Sequence, residues 1–186
     1  MRVLKSVVIL LSIVLGGVFS VGAEGAVTSE VDQAFDKLMA LNKMREGLAA
    51  TLDGRKEPIT EETFKQVCMP VGKALKEWAT KAGYEASQVA LKSRNPSNAL
   101  AAADEPVFAK FAADPKRQRL EQVVESGGRS GVQLYARIPV VAACLHCHGG
   151  EAARPEFIKE KYRADKAFGF KVGDLRGLYS VFLPKK

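Results

Sequence analysis

Val132-Gln133-Leu134-Tyr135-Ala136-Arg137-Ile138-Pro139-Val140-Val141-Ala142-Ala143-Cys144-Leu145-His146-Cys147-His148 carries the two signals that organise this chain. Its first half alternates. Val132, Leu134, Ala136 and Ile138 fall on one face, and Gln133, Tyr135 and Arg137 on the other, the period of a half-buried strand. The pattern then turns wholly apolar from Pro139 to Ala143 and delivers the chain into Cys144. Upstream, Leu120–Glu125 pairs with this strand by pattern, across Ser126-Gly127-Gly128-Arg129, so the pair predicts a β-hairpin. The second signal is Cys144-Leu145-His146-Cys147-His148. C-x-x-C-H is the attachment pattern for a c-type haem, because two thiols three residues apart can each add to one vinyl group. Cys144 and Cys147 are then the thioether attachments, and His148 is the proximal iron ligand. A structural zinc site competes for Cys and His, but it needs four ligands from two separated pairs and no second pair exists.

The N-terminus agrees with a covalent haem. Arg2 and Lys5 precede an apolar run from Val7 to Phe19, and Val21-Gly22-Ala23 offers small residues before a cut after Ala23. This is the form of a secretory signal, expected over residues 1–23, leaving one domain over 24–186. The alternative is an uncleaved anchor, for which the run is short, since a spanning helix needs about 20 apolar residues. Haem is attached to this motif outside the cytoplasm, so the expected location is periplasmic or otherwise extracytoplasmic, with no stable membrane insertion after cleavage. The chain of 186 residues carries a formal charge of +7. Its lysines and arginines are scattered and no nucleic-acid motif accompanies them, so no nucleic-acid partner is expected.

Three cysteines and two histidines are present, and both histidines lie inside the motif. No distant His can supply a sixth iron ligand, and His146 lies between the thioether positions. Cys68, a Met, a weaker ligand, water or an open site remain. Phe64, Val67, Cys68, Val71, Leu75 and Trp78 form one face of a helix predicted from Thr60 to Ala82. Cys68 is therefore either a candidate ligand or a small buried hydrophobe. Met69 falls on the polar side, whereas Met44 lies at the edge of an apolar stripe. Pro70 removes a backbone donor and predicts a kink near Cys68.

The rest of the pattern is α+β. A first helix is expected over Glu30–Leu52, capped by Ser29, with Val31, Phe35, Leu38, Leu41, Leu48 and Leu52 inward. Gln88–Ser93 is expected as a strand with Val89 and Leu91 alternating. Arg94-Asn95-Pro96-Ser97-Asn98 is expected as a turn held by side-chain bonds, and Arg94 is a candidate partner for a haem propionate. A short helix should begin at Asp104 with Val107 and Phe111 inward. Gly149–Asp174 predicts a loop or short helix, and Leu178–Leu183 a closing strand.

Taken together, Cys68, Arg94-Asn95-Pro96 with Asn98, Glu105 with Phe111, Tyr135 with Pro139, Cys144-Leu145-His146-Cys147-His148-Gly149, and Gly173-Asp174 with Gly177 and Ser180-Val181 resemble a known family. These are exported single-haem c-type domains with a PAS-like fold, found as sensor portions of histidine kinases and chemoreceptors and as free-standing proteins. The resemblance implies an antiparallel sheet flanked by helices. It also implies a cysteine thiolate as distal iron ligand, which maps onto Cys68. The chain stops at Pro184-Lys185-Lys186 with no kinase or receptor segment, so any signalling is expected to run through a separate partner.

Two functions follow as expectations. The first is single-electron transfer with a redox partner protein. Ligation by His148 and Cys68 would stabilise ferric iron and lower the potential relative to a His/Met site. The alternative is redox or gas sensing, in which reduced iron releases Cys68 and admits a small diatomic ligand. No catalytic base can be named near the iron, so an enzyme is not expected.

Overall fold

The structure, a computed structural model, describes residues 22–185, with side chains from Ser29 onward. The expected leader therefore lies, apart from its last two residues, outside the described residues. Helix α1 (Gly22–Ala50) is followed by α2 (Glu61–Val67), α3 (Met69–Ala82), strand β1 (Glu85–Val89), α4 (Glu105–Ala113), β2 (Arg119–Ser126), β3 (Arg129–Pro139), α5 (Leu145–His148), α6 (Glu156–Lys161) and β4 (Leu175–Pro184). The architecture is α+β, built on a four-stranded antiparallel sheet in the order β1-β4-β3-β2. Among the described residues no helix is long and apolar enough to cross a membrane.

The hairpin forms as the alternation predicts. Ser126 pairs with Arg129 across Gly127 and Gly128, whose φ angles of 56° and 73° lie in the left-handed region. Two successive positive φ values make the tight turn whose twist matches the strands, and glycine takes them without a Cβ clash. On one face of the sheet, Leu134, Ala136 and Ile138 join Tyr179, Val181 and Leu183 against Val31, Ala34, Leu38 and Leu41 of α1 and Val71 and Leu75 of α3. On the other face, Tyr135 and Leu178 meet Val107 and Phe111 of α4.

Arg137, expected on the polar face, is instead buried. Its guanidinium donates to the carbonyls of Phe111, Asp114 and Arg117. A cation there satisfies carbonyls at the C-terminal end of α4 and suits its dipole. The predicted strand over Gln88–Ser93 is displaced upstream, where Glu85–Val89 pairs with Leu178–Phe182. Backbone pairing to the long apolar β4 overrides the weak strand preference of Glu85 and Ser87. Leu91 is consequently exposed rather than inward.

Candidate functional site

The predicted kink is a full break. Cys68 is the residue between α2 and α3, closing the first through its N–H to the Phe64 carbonyl (2.9 Å) and preceding Met69-Pro70 in the second. Pro70 has no N–H and its ring excludes the carbonyl four residues back, so the chain restarts as a new helix around it. The break turns Cys68 into a cavity of about 290 Å³. The thiol has accessible surface, but that surface is cavity wall, so the expectation of a packed small hydrophobe does not hold. Burial among protein atoms nevertheless pushes the Cys68 thiol up, against the opposing pull of the Arg94 charge.

The same cavity is lined by Arg94, Cys144, Cys147 and His148, so every site residue expected from the sequence meets there. Val140 exchanges backbone hydrogen bonds with Gly173 and Asp174, which fixes the exit of β3. A short turn and the single helical turn α5 then place Cys144 and Cys147 on the wall, both buried. Burial pushes the Cys147 thiol up to about 11, aided by the proximity of Cys68. His146 points elsewhere, with Nε2 3.2 Å from Asp53 at the surface. Met44 and Met69 are both exposed and neither lines the cavity.

His148 is held in one tautomer. Its Nδ1 lies 2.7 Å from the Ala167 carbonyl, which can only accept, so Nδ1 carries the proton. Nε2 keeps its lone pair, the state needed of a metal-ligating imidazole. Burial, with Arg176 and Arg94 nearby, holds the His148 pKa well below its ordinary value, so the ring is neutral at physiological pH. Phe170 packs edge-on against the ring at 6.1 Å.

Arg94 holds this arrangement from behind. Its Nη2 donates to the Cys147 carbonyl (2.8 Å), and its Nε lies 3.5 Å from Asp165. Asp165 is buried, pairs also with Arg154 at 3.0 Å, and accepts the Ala167 N–H at 2.9 Å. One carboxylate thus fixes both groups that flank the imidazole. The Arg-Asn-Pro turn is realised as well, with Asn95 accepting from Ser97 N–H and hydroxyl at 3.1 and 2.7 Å.

Three contributors escaped sequence reasoning. Arg45 on α1 donates to Cys144 Sγ (3.3 Å) and to the Pro139 carbonyl (2.9 Å), pinning α1 to the end of β3. Arg176 on β4 lines the cavity, and Asp165 sits behind it. None belongs to a local motif. Only the buried neighbour Asn42, accepting from Arg45 one turn away, hints that Arg45 leaves the polar face.

Among the described residues, no three His, Cys, Asp or Glu side chains gather closely enough to hold a bare ion. The two motif cysteines, His148 and Cys68 are spread over the walls of one open space. That donor set suits a larger group bearing its own metal, and the residues fit a haem.

Comparison with known proteins assigns the class. The sequence model of the Tll0287-like family matches residues 23–184, and the chain belongs to that family. A solved relative is the cyanobacterial haem protein Tll0287. Its crystal structure superposes with a TM-score of 0.74 at 44% sequence identity, over 85% of this chain and 96% of that one. No curated protein matches.

Proposed function

We propose that this protein is an exported monohaem c-type cytochrome-like protein of PAS-like architecture that passes single electrons to a partner protein. Cys144 and Cys147 would hold the haem by thioether bonds, and His148 and Cys68 would ligate its iron. The observation that carries the reading is His148. Its Nδ1 proton is committed to the Ala167 carbonyl, which leaves Nε2 its lone pair, and the residue lines one cavity with both motif cysteines and Cys68. The relative Tll0287, described as a haem protein, supports it. When bound, the haem supplies a reversible one-electron couple. The chain's own part is to orient the imidazole, hold it neutral and present Cys68 from a rigid helix break. An anionic sulfur ligand favours ferric iron and a low potential.

Maturation in a host that attaches haem outside the cytoplasm, followed by haem staining of a denaturing gel, tests the attachment. The wild type should stain, and Cys144→Ala/Cys147→Ala should not. Absorption spectra of the wild type and Cys68→Ser, oxidised and reduced, test the ligand. Cys68→Ser should change the ferric spectrum, and an unchanged one rules out ligation by Cys68. An electron carrier keeps six ligands in both states. Loss of Cys68 on reduction with uptake of carbon monoxide would assign redox or gas sensing through a separate partner instead.

A further inference from the structure

The cavity is rich in cation and poor in anion. Arg45, Arg94 and Arg176 all line it. Arg45 is matched by Glu46 at 3.6 Å, and Arg94 by Asp165 at 3.5 Å. Asp165 also serves Arg154 and the Ala167 N–H, and the buried Arg94 Nε has no hydrogen-bond partner among the described residues. Arg176 makes no ion pair within 4.0 Å among the described residues, and its one hydrogen bond runs from Nη1 to the Lys92 carbonyl at 3.1 Å. Its guanidinium stacks over Phe170 at 5.5 Å, the ring that also touches His148. A half-buried guanidinium that lines the cavity without an ion pair presents a planar fork of donors to whatever fills it, and carboxylates are its best match.

We propose that Arg176 is the anchor of a haem propionate in this cavity, with Arg94 left to position the motif. The proposal rests on the haem reading above. The Arg176 pKa is pushed down to about 10, first by burial and then by Arg94, against the opposing pull of the Asp165 charge. An incoming carboxylate relieves both. Ser93, Asn95 and Asn98 line the same cavity and add polar groups to it. The other titratable groups facing the space are Cys68, Cys144, Cys147, His148 and Tyr162.

The test uses matured holoprotein, wild type, Arg176→Gln and Arg176→Lys. Haem staining of the wild type comes first, and a colourless wild type overturns the haem reading and this proposal together. With stained wild type, the resonance Raman propionate-bending band should shift in Arg176→Gln and lie between the two in Arg176→Lys. An unchanged band in Arg176→Gln overturns the propionate anchor and leaves the haem reading standing. A measurement on the wild type alone covers a variant that does not mature. Infrared titration should find one propionate ionised about one unit or more below the usual carboxylate range of about 4 to 4.5. Two propionates titrating within that range overturn the proposal.

Discussion

Asp165 is the residue on which the geometry around His148 converges. Its side chain is fully enclosed, and it holds Arg94, Arg154 and the Ala167 N–H at once. Deleting one partner of a buried ionic cluster strands the others, at a cost of about 3–5 kcal/mol. Asp165→Ala should therefore lower the melting temperature by about 6–20 °C, at about 2–4 °C per kcal/mol for a chain of this size. It should also free the Ala167 carbonyl to drift and loosen the His148 tautomer. Thermal melting with circular dichroism, alongside the ferric absorption spectrum, checks both, and a melt within 2 °C of wild type, on about the same scale, would refute the role. Nothing in the sequence around Asp165 marks it. Its partners lie 71 residues upstream and 11 residues upstream, and only folding joins them.

At the scale of elements, the site is assembled where β1, β4 and the end of β3 meet the α2–α3 break. Gly177 shows how closely. A Cβ there would stand 2.6 Å from the Val89 carbonyl oxygen at the end of β1 and 3.3 Å from the Cβ of Ala90 just beyond it. Backbone cannot yield as a side-chain tip can, so Gly177→Ala should push β1 off β4. Such overpacking costs about 1–3 kcal/mol. Urea unfolding should show a lower midpoint with an unchanged slope, and the yield of haem-stained protein should fall. An unaltered midpoint would mean that the two strands are free to separate. The α2–α3 break was legible in advance because Pro70 acts through its own covalent ring. The start of β1 was not, because Glu85-Ala86-Ser87-Gln88 has no strand pattern of its own and is recruited by β4.

For the molecule as a whole, the two helices over the sheet are tied at one end by Tyr84, whose hydroxyl donates to Glu30 at 2.8 Å while its ring meets Trp78 at 5.6 Å. Burial, then the bond to Glu30, pushes the phenol up to about 12. A phenol raised above its unfolded value of about 10 stabilises the fold fully below that pH. That stability drains away as the pH climbs from about 10 towards 12, because the unfolded chain releases the proton first. Urea midpoints at pH 9 and 11 should therefore fall more steeply for wild type than for Tyr84→Phe. Parallel slopes for the two proteins would refute the linkage.

The sequence alone determined what covalent proximity and local period encode. These are the paired thiols with their adjacent imidazole, the alternating strand with its Gly-Gly turn, the proline break beside Cys68 and the Asn-capped turn. Each depends on residues within a turn or two of one another, so each is written locally. Only the tertiary structure decided that Cys68, Arg94 and the motif share one cavity. It also decided that Ala167 sets the His148 tautomer, that Arg137 is buried beneath α4, and that Arg176 faces the cavity without a carboxylate partner among the described residues. Those features depend on burial and on charges brought together from distant segments, and neither exists until the sheet and helices close around them.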